Sequence, residues 1–131
     1  MIPKKRLLVV DDHVEITDLI REIAESDGYE VSTINLSSEF FERFEQIDPD
    51  TVCIDIHMPE VDGIEILRWL SDRQCRAHVI ILSGGDPLFT KVAERIGEAA
   101  NLRVRTVVKP FHLSEFRAVL RGMGEPAENS V

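Results

Sequence analysis

The sequence predicts an α/β domain of (βα)5 element order, with a doubly wound, parallel, five-stranded sheet. Short apolar runs alternate along the chain with segments whose apolar residues recur at helical spacing. Each apolar run stops at polar or turn-forming residues, as strands of a buried parallel sheet do. Right-handed crossovers favour parallel strands with helices on both faces, and 131 residues fit one such domain.

The predicted strands are short runs rich in β-branched and other apolar residues. They cover residues 7–10, 29–34, 52–55, 78–82 and 104–108. The second run alternates between apolar and polar residues, which is typical of an edge or near-edge strand. For the strand order we adopt the flavodoxin-like arrangement 2-1-3-4-5 by analogy, since the sequence does not derive it.

The predicted helices have an apolar stripe at helical spacing and polar residues elsewhere. They cover residues 13–27, 38–47, 64–73, 88–100 and 114–120. Gly28 supplies a stop for the first helix, whereas Ser37 or Ser38 and Ser114 are predicted N-caps. Gly97 weakens the fourth helix by about 1 kcal/mol. The domain is predicted to span residues 5–121, and residues 122–131 to form a flexible tail.

Reactive side chains follow four of these strands. Asp11 and Asp12 come after the first, Asp55 ends the third, Ser83 follows the fourth and Lys109 follows the fifth. Because the carboxyl ends of parallel strands share one edge, where α/β proteins bind ligands, these groups should lie together. Taken singly, each could be a helix cap, a turn residue or a solvated charge. Their coincidence at one edge favours a functional site.

Three carboxylates at one point repel one another unless a cation is present. Mg²⁺ prefers oxygen ligands and keeps several waters, so it would take one or two carboxylates together with phosphate oxygens. Asp55 is then the candidate nucleophile of an aspartyl phosphate. Lys109 and the Ser83 hydroxyl would stabilise the transferred group.

This set of residues resembles the receiver domain of two-component response regulators. The matching residues are Asp11-Asp12, Asp55 with Met58-Pro59 and Asp62-Gly63, Ser83-Gly84, and Lys109-Pro110-Phe111. The resemblance implies phosphoryl transfer to Asp55 from a sensor histidine kinase or a phosphotransfer protein. It also implies Mg²⁺ held by Asp12, Asp55 and the backbone carbonyl of His57, with Asp11 orienting the metal's waters or binding it indirectly.

The same resemblance implies a signalling phosphoacceptor that catalyses only its own phosphorylation and dephosphorylation. Its output would be protein–protein contacts with a downstream effector domain or protein. No effector domain follows Leu120, so the chain is either a stand-alone receiver or part of a longer protein. The segment 79–111 resembles receivers attached to cyclic-di-GMP phosphodiesterase domains. The cognate kinase and the oligomeric state stay open.

Two positions depart from the commonest receiver pattern. Thr106, three residues before Lys109, stands where many receivers carry an aromatic switch residue that moves with the hydroxyl of the Ser83 position. Threonine is too short to repeat that motion. His57 places a bulky imidazole two residues after Asp55, and we expect a partly exposed loop side chain rather than a catalytic group.

Composition excludes several other classes. A formal net charge of −9 argues against direct nucleic-acid binding. The apolar run 7–10 is too short for a signal or membrane segment, so neither export nor membrane insertion is expected. Cys53 and Cys75 lack disulfide or zinc spacing, which is typical of reduced thiols in a cytoplasmic protein.

Two other protein classes with similar features fit this sequence less well than the receiver. A phosphatase of the haloacid dehalogenase type needs a second aspartate two residues after its nucleophile, and this chain has His57 there. A flavin-binding module needs a hydroxyl-rich phosphate loop after the first strand, where Asp11-Asp12 would repel phosphate.

Overall fold

Five parallel strands alternate with five α-helices in the computed structural model, which describes residues 3–123. The strands are β1 (Arg6–Val10), β2 (Glu30–Ile34), β3 (Thr51–Asp55), β4 (His78–Ser83) and β5 (Arg103–Val108). The helices are α1 (Val14–Ser26), α2 (Phe40–Ile47), preceded by a 3₁₀ turn (Ser37–Glu39), α3 (Gly63–Asp72), α4 (Pro87–Ala99) and α5 (Leu113–Met123). The predicted element order and type are confirmed.

The strand order is β2-β1-β3-β4-β5, with every neighbouring pair parallel. The flavodoxin-like order and the edge position of the second strand are therefore confirmed. In the register, Asp55 lies opposite Leu82, and Ser83 lies opposite Val108. The carboxyl ends of β3, β4 and β5 consequently meet at one level, which brings their terminal side chains to a common edge.

The sheet is buried on both faces, as its continuous apolar strands require. Alternate side chains of one strand serve opposite cores: Val52 and Ile54 pack towards α2, α3 and α4, and Cys53 packs towards α1 and α5. Phe40 is fully buried in the first core, and Phe41 and Phe44 pack around it. Each large side chain buried in this way stabilises the fold by about 1.5–3 kcal/mol.

Gly28 ends α1 as predicted. It adopts φ +90°, its N–H donates to the carbonyl of Glu25, and the next N–H, of Tyr29, donates to the carbonyl of Ala24. This pair of bonds is a Schellman motif, which needs a left-handed residue that glycine adopts at no steric cost.

The predicted serine caps, Ser37 or Ser38 for α2 and Ser114 for α5, are wrong. Ser38 lies inside the 3₁₀ turn, and neither that turn nor α2 has a side-chain cap. Ser37 does not cap a helix: its hydroxyl donates to the carbonyl of Pro59 (2.8 Å) and accepts from the N–H of Val61 (3.1 Å). Ser114 lies inside α5, and the N–H of His112 is instead bound by the Glu115 carboxylate at 3.2 Å. Ser37 and Ser114 both fit the local capping pattern. Ser37 instead bonds residues that are distant in sequence, and α5 begins one residue earlier than predicted.

The last helix runs to Met123, so residues 122 and 123 are helical rather than the start of a tail. The rest of the predicted flexible tail, 124–131, lies outside the described residues. Between residues 3 and 123, no helix is long and apolar enough to cross a membrane.

Candidate functional site

An acidic cluster occupies the carboxyl edge of the sheet. Asp11, Asp12, His13 and Asp55 each offer a ligand atom, and these atoms all lie within 4.8 Å of one another. The N–H of Asp11 donates to the carbonyl of Ile34, which continues the β1–β2 pairing one residue beyond the strand and holds the aspartate at the edge. Asp11 is fully buried and Asp55 is 3% exposed. The sequence predicted the three aspartates here.

Lys109 supplies the positive charge of the cluster. Its Nζ lies 2.8 Å from Asp11 Oδ2 and 3.4 Å from Asp55 Oδ2. Its backbone N–H donates to the carbonyl of Ser83, which fixes the lysine to the end of β4. Burial opposes the lysine's charge, but its hydrogen bond to Asp11 and the charges of Asp55 and Asp11 together raise the pKa of Lys109. The lysine is therefore a permanent cation facing two carboxylates.

The Asp55 carboxyl has a pKa raised to about 6. Burial is the main cause, and the Asp11 carboxylate adds to it. Lys109 and the backbone of His57 act in the opposite direction. One lysine thus does not compensate fully for two buried carboxylates, so the site has an excess of negative charge at neutral pH.

This shift makes a prediction for the stability of the protein in a metal chelator. The folded-state pKa of Asp55 lies above its ordinary value of 3.8, so ionising Asp55 costs stability as pH rises through the window from 3.8 to about 6. Relative to Asp55→Asn, the wild type should lose about 2 kcal/mol of unfolding free energy between about pH 4.5 and pH 7.5. Urea unfolding of both proteins at each pH measures this difference. If the difference in unfolding free energy between the two proteins does not change with pH, ionising Asp55 does not destabilise the fold.

The cluster also fits a divalent cation. Asp12 Oδ1 is a buried oxygen that accepts no hydrogen bond from any residue in 3–123, although His13 Nδ1 lies 3.3 Å away. A buried carboxylate oxygen is costly to leave unpaired. Together with Asp55 and Asp11 it forms an all-oxygen donor set, which is the chemistry that Mg²⁺ prefers.

His13 belongs to the cluster, and our sequence analysis missed it. Its N–H donates to Asp11 Oδ1 at 2.9 Å, and its Nδ1 lies 3.1 Å from the same oxygen. A residue two positions after an aspartate often donates to that carboxylate in this way. The available signal was therefore its place directly after the acidic pair. The amide of Asn35 also reaches the site and donates to the carbonyl of Asp11.

The Ser83 hydroxyl lies at the same edge but is bound to α4. Ser83 is 1% exposed, and its Oγ lies 2.9 Å from Thr90 Oγ1 and accepts from the N–H of Gly85 at 3.2 Å. Strand alternation places Ser83 and Thr106 on the face covered by α4. Thr90 was another residue that the sequence did not single out.

The two unusual positions have distinct surroundings. Thr106 Oγ1 is buried and has no hydrogen-bond partner within residues 3–123. His57 is exposed, in line with its expected place in the loop, and its ring packs edge-on against Phe89 of α4 with centroids 4.6 Å apart. The loop after β3 and the first turn of α4 are therefore in contact beside the cluster.

Gly63 holds the loop after β3 tightly against the strand end. Its N–H donates to the carbonyl of Ile56 at 2.8 Å, and a Cβ at this position would lie 2.5 Å from the backbone oxygen of Asp55. Asp62 caps α3 by accepting from the N–H of Glu65. Only glycine lets α3 begin this close to Asp55.

Exposed apolar side chains occur at the same end of the sheet as the cluster. Of the large apolar side chains that are exposed between residues 3 and 123, each lies at, or within six residues after, the carboxyl end of a strand. They are Val14, Leu36, Leu88, Phe89, Val108 and Leu113. We call these six residues the apolar rim. Exposed apolar residues at the end of the sheet that carries the acidic cluster offer surface for protein docking.

Comparison with known proteins identifies the family of this chain. The family model described as response regulator receiver domain matches residues 7–121. The chain belongs to this family. It is a receiver domain, the phosphoaccepting module of two-component signal transduction.

Individual relatives agree with this assignment. The chain is 30% identical to the transcriptional regulatory protein TrcR of Mycobacterium tuberculosis over 118 residues, which are 90% of this chain and 44% of that protein. The receiver domain of NtrX from Brucella abortus has a TM-score of 0.79 at 26% identity, over 89% of this chain and 96% of that one. CheY4 of Vibrio cholerae, at 21% identity and a TM-score of 0.79, covers 92% of this chain and 99% of its own, and shows the shared fold.

The receiver domain spans less than half the length of curated relatives such as TrcR and the cell cycle regulator CtrA of Caulobacter vibrioides, at 44% and 47%. Response regulators interact with kinases and with downstream effectors. The receiver is the part of such proteins that the chain matches.

Proposed function

We propose that Asp55 is the phosphoacceptor of this receiver and that Ser83 and Lys109 assist the transfer. The observation that carries the proposal is the placement of Asp55: it is buried at the end of β3, 3.4 Å from the Lys109 ammonium and within the acidic cluster. The carboxylate is poorly compensated there, as its raised pKa indicates. A poorly compensated carboxylate next to a fixed cation suits attack on an anionic phosphoryl group.

In the proposed step, an Asp55 carboxylate oxygen attacks the phosphorus of a phosphohistidine. A P–O bond forms, the P–N bond breaks, and the leaving imidazole nitrogen takes up a proton. Lys109 neutralises charge on the phosphoryl oxygens, and the Ser83 hydroxyl donates a hydrogen bond to one of them. Hydrolysis of the acyl phosphate returns Asp55 and inorganic phosphate, so the chain would catalyse only its own phosphorylation and dephosphorylation.

Mg²⁺ would be held by Asp12, Asp55 and the backbone carbonyl of His57, with Asp11 orienting its waters. When bound, it would neutralise the excess negative charge of the cluster and of the phosphoryl group. The unpaired Asp12 Oδ1 supports this assignment, because it gives that buried oxygen a partner. The contacts of Asp11 support an indirect role, since Lys109 and His13 already occupy its two oxygens.

The donor would be a sensor histidine kinase or a phosphotransfer protein in the cytoplasm. The apolar rim supports a protein donor, because a small phosphodonor needs no apolar surface around the nucleophile. The output would be contacts with an effector domain or protein.

The test uses acetyl phosphate as a minimal donor and intact mass as the readout. With Mg²⁺, the wild type should gain one phosphoryl group, and Asp55→Asn should gain none. The matched control is Asp18→Asn, an exposed aspartate on α1, which should behave as the wild type. Chelating the metal, or Asp12→Ala, should reduce the adduct by at least about tenfold. An equal adduct on Asp55→Asn would refute the phosphoacceptor assignment.

A further inference from the structure

The hydroxyl of Ser83 is committed to a neighbour before any phosphoryl group arrives. Three contacts define its state: Gly85 N–H donates to Ser83 Oγ, Ser83 Oγ lies 2.9 Å from Thr90 Oγ1, and Thr90 Oγ1 lies 3.3 Å from the carbonyl of Asp86. The two hydroxyls have one proton each, and a carbonyl can only accept. All three contacts are made only if Thr90 donates to Asp86 and Ser83 donates to Thr90.

A phosphoryl oxygen on Asp55 can only accept hydrogen bonds. A hydroxyl has one hydrogen to donate, so Ser83 can donate to a phosphoryl oxygen only if it stops donating to Thr90. Thr90 and the phosphoryl group therefore compete as acceptors for the same Ser83 hydrogen bond. Ser83 is 1% exposed, so water does not readily substitute for either partner.

We propose that Thr90 is a positioning residue that restrains Ser83 in the unphosphorylated receiver and thereby links occupancy of Asp55 to the first turn of α4. This inference rests on the proposed phosphorylation of Asp55. The first turn is built around the same atoms: Asp86 caps it through the N–H of Leu88 at 3.0 Å, and its carbonyl accepts from both the N–H and the hydroxyl of Thr90. Breaking the Ser83–Thr90 hydrogen bond changes this network directly.

The link also reaches the rim. Phe89 precedes Thr90 and packs against the His57 ring, and Leu88 is 66% exposed at the same turn. Thr106 offers no ring to transmit a change from Ser83 through β5. The Ser83–Thr90 pair supplies a path through α4 that needs none.

The experiment measures binding of beryllofluoride, a phosphoryl mimic, in excess Mg²⁺ by fluorine NMR. Thr90→Val keeps the side-chain shape but accepts no hydrogen bond from Ser83. Without beryllofluoride, the Ser83 hydroxyl therefore loses its acceptor. The half-saturating beryllofluoride concentration should fall about threefold to tenfold, the range that one neutral hydrogen bond spans. Thr90→Ser keeps the hydroxyl and should restore wild-type binding.

The second arm isolates the Ser83 hydroxyl. In a Ser83→Ala background, Thr90→Val should change beryllofluoride binding by less than about twofold, because residue 83 then has no hydroxyl to donate to Thr90 or to beryllofluoride. An effect of Thr90→Val that persists in this background, or weaker binding by Thr90→Val alone, overturns the inference. So does binding equal to that of the wild type. If the wild type binds no beryllofluoride, the proposed phosphorylation of Asp55 fails first and this inference falls with it.

Discussion

Replacing Lys109 by methionine is expected to lower the free energy of unfolding by about 3 kcal/mol at neutral to alkaline pH. The lysine ammonium lies 2.8 Å from Asp11 and 3.4 Å from Asp55, and both carboxylates are buried. Methionine preserves much of the side-chain volume but leaves the two carboxylates without their cation. The loss should be smaller at about pH 5, where Asp55, with its pKa raised to about 6, is largely protonated.

Urea unfolding at the two pH values, in a metal chelator, measures both effects. Lys91→Met, at an exposed position on α4, is the matched control and should change stability by less than about 0.5 kcal/mol. In an Asp55→Asn background the cost of Lys109→Met should shrink, since one carboxylate is already neutral. Equal destabilisation at both pH values would mean that the charge of Asp55 adds nothing to the stabilisation that Lys109 provides.

Gly63→Ala is expected to be the most damaging glycine-to-alanine substitution between residues 3 and 123. The added methyl would lie 2.5 Å from the backbone oxygen of Asp55 and 2.7 Å from Cα of Ile56, and neither backbone atom can yield without moving the end of β3. We expect a loss of about 3 kcal/mol in unfolding free energy. Because the same shift displaces Asp55, adduct formation with acetyl phosphate should slow by more than about tenfold.

Two other glycines calibrate this result. A Cβ on Gly97 would lie 2.4 Å from Cγ2 of Val104, a side chain rather than backbone, so Gly97→Ala should cost less than Gly63→Ala. A Cβ on Gly84 would meet nothing within 4 Å, so Gly84→Ala should leave stability within about 0.5 kcal/mol of the wild type. If all three variants were equally stable, the close approach of α3 to β3 would not be a constraint.

The strand ends were the most predictable part of the molecule. Buried parallel strands are near-continuous apolar runs, so the residue that ends each run is visible in the sequence. Parallel pairing then brings those residues to one edge whatever the strand order. This is why Asp11, Asp55 and Lys109 were placed together correctly without any knowledge of distances.

The partners of short polar side chains were the least predictable part. Ser37 and Ser114 both precede apolar helical segments, and the capping pattern alone cannot tell a local acceptor from a distant one. Likewise Gly97 appeared as a weakness of α4, whereas it is where α4 packs against Val104 of β5. A single-residue propensity describes a helix in isolation, and such contacts arise only once helix and strand are packed.

Thr90 illustrates the same limit at the site. Its position one turn into α4 is unremarkable in the sequence, and its contact with Ser83 forms only when α4 packs beside the end of β4. Strand ends follow from chain order, whereas the approach of a helix side chain follows from packing.

Two hydrogen bonds of Ser37 fix the second half of the loop after β3. Its hydroxyl bonds the backbone at Pro59 and Val61, from across the sheet edge beyond β2. Ordering a loop costs conformational entropy for every residue that it fixes. For the second half of this loop that entropy is already lost in the folded chain, and the same holds for Ile56, whose N–H donates to the Leu82 carbonyl and whose carbonyl accepts from the N–H of Gly63. An ion arriving beside the His57 carbonyl would therefore meet a loop that is fixed on both sides of His57, and part of that order is supplied by a serine on another strand connection.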